Sequence, residues 1–348
     1  MAPSSKNFNL PWHQHQQYWI AIYPAGDFTA PVQAALAKAG LKAAGDGLAV
    51  QAARHWKPKW DEVYQILSQA GATDGVEVAV VPSLDPAEGI PIARRTVAAM
   101  QKVSESLWLG DALLEERIVC YLQPVLVQPD KVFGYESFAR VHAPDGSVIS
   151  GDRIIAAARA LGIEYTIDRR LQVQAIQTFM ASSFDGFLFV NFLPGFIHRP
   201  AVYLEDLSET VKYFGIAPRH IVLDFKAETP RDVAQLRNVC EYGRMRGYSV
   251  ALDDIASVDG AKKLMAEIRP DFVKIDMQLV RHVAEAGARQ TIRSIVDLVH
   301  GAGGSAIGEG VETEEIYQLL RALNVDLFQG YYFSPPMPVE KALKKAIS

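Results

Sequence analysis

A series of short apolar runs carries polar residues at or near one end: Glu136, Asn191, Asp224, Asp253 with Asp254, Lys274 with Asp276, Glu309 and Gln329. The sharpest case is YSVALDDIASVDG, residues 248–260, where an apolar run stops at two adjacent acids. Burying an unpaired carboxylate costs several kcal/mol, and a second beside it adds repulsion, so something must offset the charge. The carboxylates Glu136, Asp224, Asp253, Asp254 and Glu309 and the carboxamide Asn191 form a hard-oxygen donor set suited to Mg²⁺ or Mn²⁺. No thiolate or imidazole cluster offers an alternative for zinc. An aspartate shared between two cations and flanked by a second acid is the arrangement of two-metal phosphoester chemistry, and Asp253 with Asp254 suits it.

The elements that must position these residues follow from the pattern around them. The runs IVCYLQPVLV, FGYESFARV, GFLFVNFLP, HIVLDFK, YSVALDD, DFVKIDMQLV, SAIGEGVE and DLFQGYYF read as strands. Helical stretches such as RDVAQLRNVCEYGRMRG and RQTIRSIVDLVHGAG lie between them. Most of the polar positions lie roughly 20 to 35 residues apart, the length of one strand-helix unit. Seven or eight such units in roughly 240 residues predict a TIM-like (β/α)8 barrel, whose C-terminal strand ends form the active rim. QPDKVFG, between the first two runs, is too short for a crossover helix, so the first strand should be antiparallel. Side chains alternate along a strand, so Lys274 and Asp276 should share a face.

Each position also has a plainer reading. A lone Asp after a strand, such as Asp224, is usually a helix cap or a surface ion pair. Asn191 and Gln329 suit turns, and Lys274 suits pairing with an acid. The joint pattern decides, because these plain explanations would have to coincide on successive units at one end of one barrel.

The first hundred residues read differently. YWIAIYPA, GLAVQAARHW and GVEVAVVPS look like strands, with amphipathic helices in APVQAALAKAGLKA and DEVYQILSQAG and a longer helix over about 92–114. This predicts a small α/β domain over residues 1–106 ahead of the barrel at 107–348, with DPAEGIP as a hinge. It lacks a glycine-rich phosphate loop, and His13 and His15 in a polar tail suit solvent exposure better than a metal site.

Composition narrows the function. Of 348 residues, 49% are hydrophobic and 22% charged, and the formal net charge is -5, so no basic field exists for DNA or RNA. No apolar run approaches the roughly 20 residues of a membrane span, and the polar start lacks an export pattern, which predicts a cytoplasmic protein. Cys120 and Cys240 have no partner at metal-ligand spacing and are expected to be reduced packing residues.

The same residues resemble a known family, the EAL-domain phosphodiesterases of the bacterial second messenger cyclic di-GMP, over roughly residues 107–338. YLQPV resembles the family's YQPI strand, and ESFAR its E-A-L-x-R signature, keeping Glu136 and Arg140. NFLP from Asn191 stands for N-L-S-P, and DDI from Asp253 for D-D-F. KID at Lys274–Asp276, EGVET at Glu309–Thr313 and QGYYFSPP match outright. The resemblance implies that Glu136, Asn191, Asp224, Asp253, Asp254 and Asp276 surround two Mg²⁺ or Mn²⁺ ions. It gives Lys274 and Glu309 catalytic roles, one orienting the attacking hydroxide and the other assisting as base or ligand. Gln123, Arg140 and Gln329 would contact the substrate. The implied reaction is in-line attack of activated water on one phosphodiester, giving linear pGpG. A homodimer through the barrel and an unidentified signal or protein partner at the N-terminal domain are also implied.

Three motifs depart from the family. Its E-x-T-E strand end reads DFKA, so a metal-binding Glu becomes Asp224, shorter by one methylene. The second Glu becomes Ala227, with Glu228 one place late, and the D-F-G-T-G loop becomes DIASVDG. Metal distances tolerate only about 0.2 Å, so that strand must shift or a water intervene. The expected function is a metal-dependent cyclic di-GMP phosphodiesterase, with room for slow turnover. The alternative is an inactive cyclic di-GMP receptor or a protein-interaction scaffold signalling through its N-terminal domain.

Overall fold

A computed structural model of the chain describes residues 17–342 apart from 25, 27, 45, 54, 85–93, 183, 185, 194–199 and 227–232. The expectations placed on His13, His15, DPAEGIP, Ala227 and Glu228 lie outside the described residues. Those described fall into two compact units, one within Met1–Arg117 with Asp152–Ile163, the other within Ile118–Gly151 with Glu164–Ser348.

The first unit strings β1 (Gln17–Pro24), α1 (Ala30–Lys38), β2 (Lys42–Ala44), β3 (Gly47–Ala53), α2 (Lys57–Gln69), β4 (Val76–Val81) and β5 (Arg95–Thr96) into one sheet of order β2-β3-β1-β4-β5. Every neighbouring pair is antiparallel. The order is that of a split β-α-β unit, with β1 central. Trp60, Val63 and Leu67 recur at helical spacing and form the buried stripe of α2. The single helix expected up to Leu114 is two, α3 (Val97–Ser106) and α4 (Trp108–Leu114), with Leu107 between them. Thr96 starts α3 by accepting a hydrogen bond from the Ala99 backbone N–H.

The second unit begins with β6 (Ile118–Gln128), β7 (Lys131–His142) and the short β8 (Val148–Ser150), followed by α5 (Gly151–Leu161), which belongs largely to the first unit. Then come α6 (Glu164–Ala181), β9 (Phe187–Phe192), α7 (Pro200–Tyr213), β10 (Ile221–Lys226), α8 (Val233–Met245), β11 (Ser249–Ile255), α9 (Val258–Ile268) and β12 (Phe272–Ile275). The unit ends with α10 (Met277–Arg281), α11 (Ala286–Gly301), β13 (Ser305–Gly308), α12 (Glu314–Ala322), β14 (Leu327–Phe328) and β15 (Met337–Pro338). The strands β6-β7-β9-β10-β11-β12-β13-β14 close on one another, with β6 antiparallel to both neighbours and the rest parallel. This is the expected (β/α)8 barrel with an antiparallel first strand.

Two apolar layers account for the nearly continuous hydrophobic runs. Outward residues such as Leu223, Val250, Leu252 and Val273 pack with Leu204, Leu236, Val239 and Ile295 of the surrounding helices. Inward residues Val125, Phe189, Val222, Ala251, Phe272, Ile307 and Leu327, one from each of seven strands, meet inside the barrel as a second cluster. Both cysteines are free, and burial pushes each thiol up to about 12. Among the described residues no helix is long and apolar enough to cross a membrane.

The last strands are shorter than their apolar runs. After Ile275 the chain turns at once into α10, because Asp276 Oδ1 accepts the backbone N–H groups of Gln278 at 2.9 Å and Leu279 at 3.2 Å. That is a helix N-cap, which ends β12 by satisfying the first donors of the next element.

Beside β9 lies a buried polar network. Asp168 of α6 accepts hydrogen bonds from the Tyr203 hydroxyl, from Gln172 Nε2 at 3.0 Å and from the Leu193 backbone, two residues after Asn191. Burial, only partly countered by these donors and by Arg169, raises its carboxyl from 3.8 to about 7. The folded chain therefore holds a proton there that the unfolded chain releases near pH 4, so stability falls as pH rises between these values. Asp168→Asn removes that titration, and the loss should amount to a few kcal/mol. Denaturation of both proteins from pH 4.5 to 7.5 should show the variant gaining on the wild type as pH rises; parallel curves would contradict this.

Candidate metal and active site

The polar residues singled out in the sequence follow from the apolar layer by a step of two. Asn191 follows Phe189, Asp224 follows Val222, Asp253 follows Ala251, Lys274 follows Phe272, Glu309 follows Ile307 and Gln329 follows Leu327. On the antiparallel β6 the step reverses, and Gln123 precedes Val125. Alternation therefore aims all of them inward, directly above the apolar plug, at the C-terminal end of the parallel strands.

Lys274 stands at their centre. Only 1% of its side chain is exposed, and Nζ lies 2.9 Å from Glu136 Oε2, 3.1 Å from Asp224 Oδ2, 3.4 Å from Asp253 Oδ1 and 2.8 Å from Glu309 Oε1. Burial alone would lower the pKa of this ammonium, but Asp224, Asp253, Glu136 and Glu309 outweigh it, and the pKa rises well above the ordinary value. One cation cannot neutralise four anions, so the ring divides the remaining burden unevenly. Burial and the neighbouring acids push Asp224 up to about 8 despite Lys274. Burial and Asp253 likewise push Glu309 far up. For Asp253 burial is overcome by Lys274, a hydrogen bond with Glu309, Lys226 and the Asp254 backbone, and its pKa falls below 3.8.

Glu136 is fixed from several sides. Its Oε1 accepts from Asn191 Nδ2 at 3.0 Å, and its Oε2 from Lys274 and from Gln329 Nε2 at 2.9 Å. Gln329 Nε2 also donates to Gln123 Oε1 at 3.2 Å, and Gln123 Nε2 to the Ser334 carbonyl at 2.9 Å. The two glutamines, expected to meet substrate, thus line up behind Glu136. Gly330 lets Gln329 sit there, since a Cβ on it would lie 2.1 Å from the Val311 carbonyl oxygen. Arg140 is half-buried, its guanidinium 5.8 Å from the Tyr121 ring and 5.6 Å from the Phe138 ring, with Nη1 donating to the Ala139 carbonyl. Asp276 spends Oδ1 on its helix cap, away from Lys274 in the sense that no ion pair joins them among the described residues.

Adjacent strand residues point to opposite faces, so Asp253 and Asp254 could not both reach the ring on a regular strand. The register between β11 and β12 slips between Leu252 and Ile255, and Asp254 adopts φ +61. Aspartate tolerates this left-handed conformation better than most residues. Its N–H turns to donate to Asp253 Oδ1 at 2.8 Å, and its carboxylate joins Asp253 and Glu309, with oxygens of all three within 4.8 Å of one another. The altered loop beyond is brief: Ser257 caps α9, accepting the Gly260 N–H at 3.2 Å. Sequence reasoning missed Lys226, whose Nζ lies 2.9 Å from Asp254 Oδ2. The one available signal was register, which sets Lys226 beside Asp253 across β10 and β11.

This donor set fits hard divalent cations. Asp224 Oδ1 and Gln329 Oε1 are buried oxygens with no hydrogen-bond partner, and a buried orphan acceptor costs about 1–3 kcal/mol. Asn191 commits its Nδ2 to Glu136 and to the Ser137 carbonyl, so its amide oxygen is the atom that could ligate a cation.

The EAL domain model matches residues 107–336, two-thirds of the chain. This chain belongs to the EAL domain family. The cyclic di-GMP phosphodiesterase PdeL of Escherichia coli is 26% identical over 232 residues, covering 65% of this chain and 64% of PdeL, so the chain spans less than two-thirds of that relative. A standalone EAL protein of Vibrio cholerae O395, solved with c-di-GMP, is 26% identical with a TM-score of 0.55, covering 63% of this chain and 92% of that one. The EAL enzyme Bd1971 shares the fold over 94% of both chains, at TM-score 0.66 and 17% identity. Within this EAL domain, Lys274→Met would leave the buried acids without their cation. At neutral pH, chemical denaturation should report a loss of about 3–5 kcal/mol. The deficit should shrink in acid, where the carboxylates protonate; an equal deficit at pH 5 and pH 8 would contradict the charge argument.

Proposed function

We propose that this chain is a metal-dependent cyclic di-GMP phosphodiesterase that releases linear pGpG. The observation that carries the reading is the convergence of Glu136, Asp224, Asp253 and Glu309 on buried Lys274, with Asp254 turned toward the same place by its bulge. So many acids gathered where, among the described residues, one buried lysine answers them suit a site completed by Mg²⁺ or Mn²⁺. When bound, such ions neutralise phosphate charge and acidify water for in-line displacement.

The residues supply the rest. Asp253, Asp254 and Glu309 would hold one ion, and Glu136, Asn191 and Asp224 a second, while Asp276 serves them from the end of β12. Lys274, permanently charged and immobile, offers a positive pole to a dianionic substrate at no cost in reorganisation. Glu309, held at Oε1 by Lys274, would serve as a ligand or as the base that accepts a proton from the attacking water. Gln123 and Gln329 keep Glu136 in place, and Arg140 presents a planar cation to phosphate or base. A homodimer of barrels and a signal received by the N-terminal unit belong to the same reading. The ion pair of Lys226 with Asp254 favours the alternative of a receptor that binds the dinucleotide without cleaving it.

Incubation with cyclic di-GMP and Mn²⁺ or Mg²⁺, followed by chromatography, separates the two. The phosphodiesterase yields pGpG, yields none after chelation, and loses about a hundredfold or more of its rate in Asp253→Asn. Tight calorimetric binding without product would establish the receptor instead. Asp224→Glu restores the missing methylene and should raise a weak rate; an unchanged rate would mean that Asp224 already reaches its ligand.

A further inference from the structure

We propose that Lys226 is a displaceable internal counter-ion, competing with a divalent cation for Asp254 and raising the metal concentration at which the site fills. The inference rests on the metal-dependent reading above. Lys226 is the last residue of β10 and lies beside Asp253 in register, so its side chain reaches the neighbouring strand's acids without any loop between. Its Nζ is 2.9 Å from Asp254 Oδ2, and Asp254 is one of the three acids whose oxygens lie within 4.8 Å of one another. An ammonium at that distance occupies a lone pair that a cation would use and repels a divalent charge close by.

The two lysines of the site differ in one decisive respect. Lys274 is 1% exposed and held by four acids, so it stays when a metal arrives. The Lys226 side chain is 54% exposed, and Asp254 29%. An exposed pair of this kind is worth at most about 1 kcal/mol, and the long side chain can swing into water. Lys226 therefore closes the site at low metal and yields at high metal. The family pattern has Thr at this strand position, which cannot do this.

The test measures Mn²⁺ binding directly, by titration with electron paramagnetic detection of the free ion, on the full chain as wild type, Lys226→Thr and Lys226→Arg. Only sites lost in Asp253→Asn are counted. Because Lys226 is exposed, these substitutions leave the core intact, and thermal melting verifies it. Lys226→Thr should bind Mn²⁺ about three- to tenfold more tightly than wild type, with the gap narrowing in high salt, while Lys226→Arg stays at the wild-type value. Equal affinity of wild type and Lys226→Thr overturns the inference and leaves the metal site standing. Absence of Asp253-dependent Mn²⁺ binding in both, at millimolar ion, overturns the inference together with the metal-dependent reading.

Discussion

Everything at the mouth of the barrel depends on how buried negative charge is neutralised around Lys274. The ammonium is out of water and within 3.4 Å of four carboxylates. In a low-dielectric setting each of those acids is expensive to ionise alone, and each is also the reason the lysine keeps its proton. The apolar plug beneath, from Val125 round to Leu327, offers these acids no counter-charge. Neutralisation must then come from above, as protons or as metal ions. On the metal-dependent reading proposed above, protons and divalent cations would compete for the same oxygens, which would couple occupancy to pH and metal supply together.

The adjacent acids show how a backbone irregularity serves chemistry. A regular strand would send one of Asp253 and Asp254 into the outer layer among the helices, where a carboxylate has no partner. The register slip and the left-handed φ at Asp254 bring both to the mouth. Such strain costs on the order of 1–3 kcal/mol and persists only where surrounding structure holds it. Here Asp253 accepts the turned N–H, and Lys226 holds the turned carboxylate.

The barrel was legible because its strands announce themselves twice, by apolar runs and by the polar residue two steps beyond the inward layer. The inward sense of Asn191, Asp224, Asp253, Lys274, Glu309 and Gln329 follows from alternation alone. Other features depend on neighbours distant in sequence. That Gln123 and Gln329 lie behind Glu136 is a consequence of closure between the first and last strands, some 206 residues apart. The Lys226–Asp254 pair needs the register of two strands. Asp276 was ambiguous for a local reason: the same carboxylate suits a ligand or a helix cap, and the N–H groups of Gln278 and Leu279 decided how one of its oxygens is used. In the first unit the strands were readable, but their order, and the break at Leu107, depend on packing that periodicity does not encode.

Asp224 is the residue on which shape and charge meet most sharply. Its carboxylate is long enough to bring Oδ2 within 3.1 Å of Lys274, and that contact leaves Oδ1 buried without a donor. A glutamate there would carry its carboxyl about one methylene further from the strand, toward the centre of the mouth. The Asp224 carboxyl lies against the lysine, where burial raises its pKa to about 8. The lysine satisfies one oxygen, and the cation proposed above would meet the other, Oδ1. On the readings proposed above, Asp224 and Lys226 on one strand would act in the same direction, each pairing an acid of the mouth with a lysine in place of a metal ion.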